Sequence, residues 1–300
     1  MFKQRVSEIK AHNANPQKTF TLAANQFAAY TEEELESSML GAIPDEKELE
    51  KVVEVPRHKH HSKKATVPKA KAVIKNWATD LGLTNTVRSQ GRCGSCWAFA
   101  TATNIDYNFN IRDSSSILVS SQQLLACSYS VAGIDVQGGR RYRGCNGGWL
   151  DKPFYYSMTH LLASDSDYPY TRSSWCNLDN AAKGQYQIES YSRLANSSSN
   201  ICDGLTDHLT NVGTAVITFK VIRSFYSYSS GVYSCTAGQR GINHAMVAVG
   251  VTDTAYIIQN SWGTGWGNGG FVEVTTDPAT SCNLCLVSPF ISTVAAITPP

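Results

Sequence analysis

The cysteines constrain this chain of 300 residues most strongly, because all nine of them follow residue 92. Reduced intracellular proteins rarely carry so many thiols, whereas secreted proteins pair them in disulfides. Nine is odd, so four disulfides would leave one thiol free for chemistry. The chain begins with polar residues and shows no apolar segment of a signal peptide. We therefore expect a protein of the secretory route whose targeting signal is not in this sequence.

Composition narrows the class of protein further. Apolar residues make up 42% of the chain and its net charge is +2, which favours a buried core over disorder. A balance so close to neutral does not suggest a nucleic-acid-binding protein. No apolar run approaches the roughly 20 residues of a membrane-spanning helix. At about 150 residues per domain, the length allows two domains.

Charge divides the chain into two parts. Residues 31–54 are acidic, residues 57–75 are basic and rich in histidine, and neither stretch contains cysteine. The basic stretch lacks interleaved aromatic residues, so an exposed linker explains it better than a nucleic-acid or metal site. We expect a charged leading segment followed by a globular part that is rich in Gly, Tyr and Cys.

Hydrophobic periodicity predicts mainly helices before residue 184 and strands after it. Phe2, Val6 and Ile9 share one face of the first predicted helix. The predicted helices cover 2–13, 96–109 and 121–126, with another that begins at the N-cap Thr31. The predicted strands cover 214–219, 231–233, 245–251, 256–259 and 271–274. Function in such a chain commonly lies in the crevice between the two halves.

The sharpest signal is the segment Gln90-Gly91-Arg92-Cys93-Gly94-Ser95-Cys96-Trp97. Its Cys-x-x-Cys pair could be a thioredoxin-like redox centre or, together with Cys282-x-x-Cys285, a four-thiolate zinc site. The two pairs lie too far apart for a small zinc module, and no βαβ pattern precedes the first pair. The third interpretation makes Cys96 a nucleophile at a helix N-terminus, where the helix dipole stabilises a thiolate.

A nucleophilic thiol needs a base and a group that orients the base. His244 precedes one predicted strand and Asn260 follows the next, so a hairpin could place both side chains side by side. A lone histidine is more often a core residue with satisfied hydrogen bonds. Here the order of His244 relative to Cys96 and Asn260 favours catalysis.

These residues and several other motifs resemble the papain family of cysteine proteases, and the resemblance spans nearly the whole chain. Phe2, Ile9 and Asn13 are similar to the end of the helix motif of the family's inhibitory prosegment, and Asn25 and Phe27 are similar to its second motif. The other matching segments are, in the family's order, 90–99, Gly144-Cys145-Asn146-Gly147-Gly148, Tyr168-Pro169-Tyr170, Ser230-Gly231-Val232-Tyr233, Asn243-His244-Ala245, Asn260-Ser261-Trp262-Gly263 and Trp266-Gly267.

The resemblance implies a papain-like α+β fold, with a helical domain, a β-barrel-like domain and the active-site cleft between them. It also implies that Cys96 attacks the scissile carbonyl, while His244 takes the thiol proton and later gives it to the leaving amine. Asn260 would hold the imidazole in one tautomer, and Trp262 would cover that hydrogen bond from water. Gln90 would donate its side-chain amide to the oxyanion, together with the Cys96 backbone N–H.

For the substrate, the resemblance implies a cleft that binds an extended peptide and admits its backbone at two glycines. Trp149, Leu150 and Ala245 would line the pocket for the second residue before the cut, so we expect a hydrophobic or aromatic residue there. The alternative is that Trp149 and Leu150 are core residues. The predicted substrate-binding residues are Gly147, Gly148, Trp149, Leu150, Asn243, Ala245 and Trp262.

With Cys96 free, eight cysteines remain for four disulfides. The disulfides that the resemblance implies are Cys93–Cys145 and Cys127–Cys176. Cys235 would then pair with Cys282 or Cys285, and Cys202 with the other.

The resemblance also predicts how the chain is divided. Residues 1–56 would form an N-terminally truncated inhibitory prosegment, and residues 57–71 a basic linker with the processing site. Residues 72–300 would form the peptidase domain, mainly helical over about 72–183 and mainly β over about 184–290. Ala23 and Ala29 replace the Gly and Asp of the second prosegment motif, so we expect weak inhibition.

We expect a cysteine endopeptidase made as a zymogen, with peptides and proteins as substrates and its own prosegment as inhibitor. No metal, organic cofactor, nucleic acid or membrane partner is implied, and we expect a monomer in a lysosome-like acidic vesicle or outside the cell. One alternative is an exopeptidase, if the long loop between Cys127 and Cys145 caps the cleft. The other is a catalytically silent peptide-binding relative. Asn196 begins a glycosylation acceptor sequence.

Overall fold

The computed structural model describes residues 1–44, 72–129, 144–194, 201–236, 241–284, 287 and 289–294. Three predicted features therefore lie outside the described residues: the processing linker 57–71, the part of the long loop at 130–143, and the acceptor site at Asn196.

Two helices and a short strand form the leading segment. They are α1 (Phe2–Ala14), β1 (Phe20–Leu22) and α2 (Glu32–Met39). Thr31 caps α2, because its hydroxyl accepts from the Glu34 N–H while the Glu34 carboxylate accepts from the Thr31 N–H. The face predicted for the first helix is partly wrong: Phe2 is exposed, whereas Arg5 and Ile9 are buried. The reason is that α1 contacts the rest of the molecule through a charged cluster around Arg5.

One long helix organises the helical half. The helices of this half are α3 (Trp77–Asp80), α4 (Cys96–Asp113), α5 (Ser121–Cys127), α6 (Asp151–Thr159) and α7 (Leu178–Ala181), with a 3₁₀ turn at Gly144–Asn146. Nearly every side chain of α4 is buried, because α5 and α6 pack against it on one side and strands of the β half on the other. Its first residue therefore lies at the boundary between the two halves.

A twisted sheet forms the β half. Its strands are β2 (Val73–Asn76), β3 (Ile188–Arg193), β4 (Ala215–Phe219), β5 (Tyr228–Tyr233), β6 (His244–Thr252), β7 (Ala255–Gln259), β8 (Phe271–Thr275) and β9 (Phe290–Val294), accompanied by α8 (Ile201–Asn211). The strand order is β1-β5-β8-β7-β6-β4-β9-β3, with β2 paired to β6. All strand pairs are antiparallel except β5 with β8.

Strand β6 belongs to two hydrophobic cores at once. Successive strand side chains point to opposite faces. Val247 and Val249 accordingly pack into the core around α4, while Met246 and Ala248 pack into the core of the β half. This double burial explains why β6 reads as a continuous apolar run rather than as an alternating one.

Disulfides cross-link residues within the helical half and within the β half. Those between described residues are Cys93–Cys145, Cys127–Cys176 and Cys235–Cys282. Of the two partners left open for Cys235, the structure therefore contains Cys282. Cys202 is also disulfide-bonded, and Cys285 lies outside the described residues. Cys96 is the free cysteine of the described part.

The expected α+β fold class is confirmed, and every predicted strand is present within three residues of its predicted ends. The sequence analysis does not predict α3, α6, α7, α8, β1, β2, β3 or β9. Strands β2 and β3 are mostly exposed or half-buried, so they lack the apolar alternation that marks a strand in sequence. These two strands form because they pair with β6 and β9, a long-range interaction that the local sequence does not reveal.

Candidate active site

The predicted nucleophile lies at the first turn of α4. The hydroxyl of Ser95, the residue before the helix, bonds to the Tyr170 hydroxyl instead of capping the helix. Backbone N–H groups of Trp97 and Ala245 act to lower the pKa of the Cys96 thiol, because they favour the thiolate. One of these groups is a free N–H of the helix start, and the other belongs to the residue directly after His244. The thiol therefore lies at the helix start, close to the residue that follows the predicted base.

The hairpin of β6 and β7 places the predicted base beside its predicted orienting group. In the hairpin register, Val247 pairs with Gln259, so His244 opens one strand and Asn260 follows the other. The His244 Nε2–H donates to Asn260 Oδ1 at 2.8 Å. Nδ1 is buried and has no hydrogen-bond partner. Because Nε2 carries the proton in this tautomer, Nδ1 is the nitrogen that can take a proton from the thiol.

Aromatic rings cover the imidazole. The ring of Trp262 lies 5.0 Å from that of His244, and Tyr226 stacks on Trp262 at 5.3 Å. Phe27 of the leading segment packs edge-on against Trp262, also at 5.3 Å. The hydrogen bond between His244 and Asn260 is therefore shielded from water, as the sequence predicts for Trp262.

The side-chain amide of Gln90 is fixed in one orientation. Its Oε1 accepts from the Ser261 hydroxyl at 2.6 Å. Its Nε2 donates to the carbonyl oxygens of Cys93 and Met39, each at 2.7 Å. Met39 ends α2, so a peptide carbonyl of the leading segment occupies the donor predicted to bind an oxyanion.

The chain that follows α2 runs along the predicted substrate-binding glycines. The Gly148 N–H donates to the Gly41 carbonyl at 2.9 Å, and the Ile43 N–H donates to the Gly148 carbonyl at 3.2 Å. The Ala42 N–H donates to the Asn243 carbonyl at 3.2 Å. The leading segment thus binds with its backbone, as a peptide substrate is expected to do.

Glycines make this close approach possible. A Cβ atom on Gly41 would lie 1.9 Å from the carbonyl oxygen of Gly94, and one on Gly148 would lie 2.7 Å from the Trp97 ring. Any side chain at Gly41 would collide with backbone, which cannot move aside as a flexible side chain can.

The covering segment changes the ionisation of the two central groups. Burial raises the pKa of the Cys96 thiol to about 11, although backbone N–H groups that include those of Gly41 and Ala42 oppose the rise. Burial also lowers the pKa of His244 to about 4, against the effect of its hydrogen bond to Asn260. Burial in the covered cleft therefore favours the neutral thiol and the neutral imidazole over a thiolate–imidazolium pair.

The predicted substrate-binding residues fall into two groups. Gly148 and the backbone carbonyl of Asn243 bond to the leading segment, while the Asn243 side chain bonds to the Val221 backbone instead. Trp149, Leu150 and Ala245 are buried, and Trp149 packs edge-on against a ring of β9. A Cβ atom on Gly147 would lie 2.6 Å from the Ile43 side chain, which places Gly147 beside the covering peptide.

A buried ion pair behind Gln90 is missing from the sequence analysis. Arg88 donates to the Asp106 carboxylate at 2.6 Å, and the other Asp106 oxygen accepts from the Val119 N–H. Burial raises the pKa of Asp106 to about 7, with Arg88 opposing the rise. The Arg88 carbonyl accepts from the Gly263 N–H, which ties this pair to the loop after Asn260. An aspartate in the buried interior of the predicted helix 96–109 was the available signal.

The leading segment docks on the residues that surround the site. Gln26 donates to the Trp262 carbonyl at 3.1 Å, and Asn25 donates to the Tyr226 carbonyl at 2.8 Å. Strand β1 pairs with β5 through residues 228–231. On α1, Glu8 binds Arg223 through both carboxylate oxygens. The segment therefore contacts both sides of the cleft.

The described part of the chain holds neither a metal-binding cluster nor a membrane-spanning helix. No group of His, Cys, Asp and Glu side chains in it could hold a metal ion. None of its helices has the length and apolar character needed to cross a membrane.

Comparisons with known proteins agree with this geometry. The sequence profile of the papain family cysteine protease matches residues 73–289, and that of the cathepsin propeptide inhibitor domain matches residues 1–35. The chain belongs to the papain family of cysteine proteases. Among its relatives, digestive cysteine proteinase 2 of Homarus americanus is 30% identical over 95% of this chain and 84% of the relative. Cathepsin L 1 of Paramecium tetraurelia is 29% identical over 97% of this chain and 83% of the relative.

Solved structures resemble this papain-family chain in fold. The structure of digestive procathepsin L2 proteinase from Tenebrio molitor larval midgut has a TM-score of 0.75 at 23% identity. The match covers 97% of this chain and 90% of that chain.

The family membership settles the enzyme class. The protein is a papain-family cysteine protease, a hydrolase of peptide bonds, and it carries a propeptide inhibitor domain as the resemblance implies. Its substrates are therefore peptides. The disulfides between described residues are typical of proteins that fold in the secretory pathway.

Proposed function

We propose that the protein is the zymogen of a cysteine endopeptidase, with Cys96 as nucleophile, His244 as base and acid, Asn260 as orienting group and Gln90 as oxyanion donor. One observation carries the proposal: a peptide carbonyl, that of Met39, accepts the Gln90 amide beside a buried free thiol. An amide donor that already holds a carbonyl is suited to hold the oxyanion into which a substrate carbonyl is converted.

The proposed reaction begins once the prosegment leaves the cleft. The Cys96 thiol gives its proton to His244 Nδ1, and the sulfur attacks the scissile carbonyl carbon. The resulting oxyanion accepts from Gln90 Nε2–H and from the backbone N–H of Cys96. The imidazolium then protonates the leaving amine, and the carbon–nitrogen bond breaks to give an acyl-enzyme.

Water completes the proposed cycle. His244 Nδ1 takes a proton from water, which attacks the thioester carbon. The oxyanion collapses, the carbon–sulfur bond breaks, and the carboxylic acid product leaves the regenerated thiol. Asn260 keeps Nε2 protonated throughout, so that Nδ1 alternates between base and acid.

The course of the prosegment supports endopeptidase rather than exopeptidase activity. Residues 25–30 lie on the Trp262 side of Cys96, and residues 41–43 lie along Gly148 on the other side. One polypeptide therefore occupies the cleft on both sides of the thiol. We propose that an extended substrate does the same, with Gly147, Gly148 and Asn243 holding its backbone and Trp149, Leu150 and Ala245 selecting an apolar residue.

We further propose that the prosegment extends over residues 1–56, that processing occurs in 57–71, and that residues 72–300 are the peptidase. We propose a monomer, and the disulfides between described residues support a location in an acidic vesicle or outside the cell.

The test uses the full chain after acid treatment, with an internally quenched peptide blocked at both ends and carrying a hydrophobic residue two positions before the cut. Internal cleavage that an epoxide thiol inhibitor stops would support the endopeptidase proposal. Cleavage only of peptides with a free end would instead show an exopeptidase, and silence from a processed, correctly bridged chain would show a peptide-binding relative.

Histidine variants assign the proposed base. His244→Gln should lower kcat by at least about 100-fold, because general acid–base catalysis contributes 10²- to 10⁴-fold. His208 is a matched control, since it is also buried but bonds to the Thr214 carbonyl outside the cleft. Equal losses in His244→Gln and His208→Gln would contradict the assignment.

A further inference from the structure

The geometry identifies the side of the cleft that would hold the leaving group, here called the leaving-group side. Since His244 protonates the leaving amine in the proposed reaction, the part of the substrate after the cut lies on the side of that imidazole. Trp262 contacts His244 on this side, and Tyr226 stacks on Trp262. Tyr226 belongs to a 3₁₀ helix, Arg223–Ser227, whose first residue is a cation. Arg223 therefore lies beyond Trp262 along the path of the leaving segment.

The prosegment already places carboxylates on this cation. Glu8 binds the Arg223 guanidinium with both oxygens, at 2.9 and 3.1 Å from Nη2, and Glu32 lies 3.8 Å from Nη1. A guanidinium matches a carboxylate in this two-pronged geometry better than an ammonium does. When the prosegment departs, Arg223 loses both partners and keeps its side chain at the protein surface.

A second cation of the peptidase also contacts the prosegment. Arg92 stands between Gln90 and Cys96 in sequence and is exposed. Its guanidinium lies over the ring of Tyr30 of the prosegment, 5.0 Å from the ring centroid. Tyr30 in turn belongs to the turn that packs Phe27 against Trp262. In the described residues Arg92 has no carboxylate partner, so loss of the prosegment leaves its charge free.

The two ion pairs of this contact have the same polarity. Both join the prosegment to described peptidase residues with the anion on the prosegment and the cation, Arg223, on the peptidase. A prosegment cation, Arg5, also lies here and donates to the Arg223 backbone carbonyl. Departure of the prosegment removes both anions from Arg223, so Arg223 and Arg92 give the uncovered face positive charge on its leaving-group side.

We propose that Arg92 and Arg223, which contact the prosegment in the zymogen, select protein substrates that carry acidic side chains after the scissile bond. This inference rests on the proposed function, because it takes His244 as the group that protonates the leaving amine. Arg92 serves the first residues after the cut, and Arg223 serves residues farther along the leaving segment. The glutamates of the prosegment occupy in the zymogen the place that substrate carboxylates occupy in the active enzyme.

The expected selection is moderate, because both guanidinium groups reach water. An exposed pair of opposite charges contributes about 0.2–1 kcal/mol, so each contact raises kcat/KM about threefold. Two contacts together give a preference of roughly tenfold for an acidic leaving segment over its neutral amide counterpart. Salt at about 1 M shortens the screening length to about 3 Å and should abolish the preference.

The experiment compares matched quenched peptides on the full chain after acid activation, with active enzyme counted by titration with an epoxide inhibitor. The peptides carry Glu or Gln at each of the first six positions after the cut, at about pH 6, where glutamate is ionised. We expect faster cleavage of the Glu peptides at low salt and equal cleavage at high salt. The same peptides with Glu placed before the cut should show no such advantage.

Charge-removing variants then locate the effect. Arg92→Gln should erase the advantage of Glu at the first positions, and Arg223→Gln should erase it at the later ones. Lys183→Gln removes the same charge from an exposed site outside the prosegment contact and should change nothing. If an arginine variant fails to activate, the salt dependence of Glu-peptide cleavage by the unchanged enzyme still shows whether acidic leaving segments are preferred through charge.

The outcomes separate this inference from the proposed function. Equal cleavage of Glu and Gln peptides at low salt by an active enzyme would overturn the selection by Arg92 and Arg223. So would an advantage of Glu that survives both arginine substitutions. Absence of cleavage of every peptide would contradict the proposed function instead.

Discussion

Two arginine–carboxylate pairs, one inside the peptidase and one beneath the prosegment, differ in how much water reaches them. Arg88 and Asp106 are 13% and 5% exposed, whereas Arg223 and Glu8 are each 40% exposed. Removing one member of a buried pair strands a charge in the protein interior, whereas an exposed pair is weak and screened by salt. The comparison shows that the peptidase fold is stabilised by a buried ion pair that is costly to break, whereas the prosegment is bound by an exposed ion pair that can dissociate.

The remaining contacts of the two regions follow the same division. Helix α1 buries only Arg5 and Ile9, and two nitrogen atoms of the Arg5 guanidinium are buried without a hydrogen-bond partner. Burial and the nearby Arg223 lower the pKa of Arg5, which shows that this cation is poorly accommodated. The peptidase combines disulfides with two extended hydrophobic cores, whereas the prosegment adds only a few apolar side chains, such as those of Phe20, Phe27 and Leu35, to the edge of the second core. Prosegment binding is therefore the weaker of the two assemblies.

The largest expected effect comes from breaking the buried pair. Arg88→Met should lower the free energy of unfolding by about 3 kcal/mol at pH 7, because the Asp106 carboxylate loses its cation in the protein interior. The folded-state pKa of Asp106 is already raised, so the stability linked to its proton is present at low pH and lost as pH rises through about 7. Denaturant unfolding of the full chain should therefore show a smaller loss at pH 5 than at pH 7.

Arg112→Met provides the control for this prediction. Arg112 pairs with its exposed neighbour Asp113, so its loss should cost less than about 1 kcal/mol at either pH. A similar loss for both arginine variants would remove the contrast between buried and exposed pairs.

The next effect concerns the closest approach of prosegment and peptidase. Gly41→Ala should weaken inhibition roughly 100-fold, since a Cβ atom 1.9 Å from the Gly94 carbonyl forces the strand away, and such overpacking costs about 1–3 kcal/mol. The measurement is activity of the full chain at neutral pH before any acid treatment. Gly213→Ala is the control, because Gly213 has no positive φ and its added methyl group would lie 3.3 Å from the Ile111 side chain, away from the cleft; it should leave the zymogen latent.

The effect of pH on release of the prosegment from the cleft should be of intermediate size. Covered His244 has a pKa of about 4, whereas an uncovered histidine titrates near 6.5. Its contribution to the closed state is therefore complete above pH 6.5 and is lost as pH falls towards 4. In a Cys96→Ala background, the protection factors of the β1 amides, which are the ratios of intrinsic to observed exchange rate at each pH, should fall by up to about tenfold per pH unit in that window.

Replacing the imidazole isolates this contribution. His244→Gln should flatten the dependence between pH 6.5 and 4, while His208→Gln should leave it in place. An unchanged slope in His244→Gln would assign acid opening to the carboxylates of the prosegment instead.

The smallest expected effect comes from the exposed pair. Glu8→Gln should weaken prosegment binding by about 0.5–1 kcal/mol, a two- to fivefold change in the fraction of active zymogen at low salt. The difference from the unchanged chain should shrink as salt rises. If Glu8→Gln weakened inhibition as much as Gly41→Ala, this exposed ion pair would behave as a buried one.

Much of the site can be predicted because its signals are local. A thiol before an apolar helix, a histidine opening one strand and an asparagine closing the next are readable from Cys96, His244 and Asn260 alone. The hairpin between them needs only short-range pairing, which the alternation of apolar residues reveals. The strand ends shift by a few residues because pairing with distant partners extends them.

The rest depends on contacts between distant parts of the chain. Nothing near Met39 indicates that its carbonyl reaches Gln90, since that contact exists only after α2 docks on the cleft. Arg88 and Asp106 are 18 residues apart. Asp106 stands out within an apolar helix pattern, but nothing in the sequence indicates that Arg88 is its partner. Arg5 is likewise buried by its partner surface rather than by its own helix.

Strand β6 has a consequence for how the peptidase comes apart. Neighbouring residues of this strand pack alternately into the two cores, so each core is incomplete without β6. The two halves are therefore not separable modules, and cutting the chain between them would leave each with exposed apolar surface. The activated enzyme should melt in a single cooperative transition, with the cleft lost at the same moment as both cores.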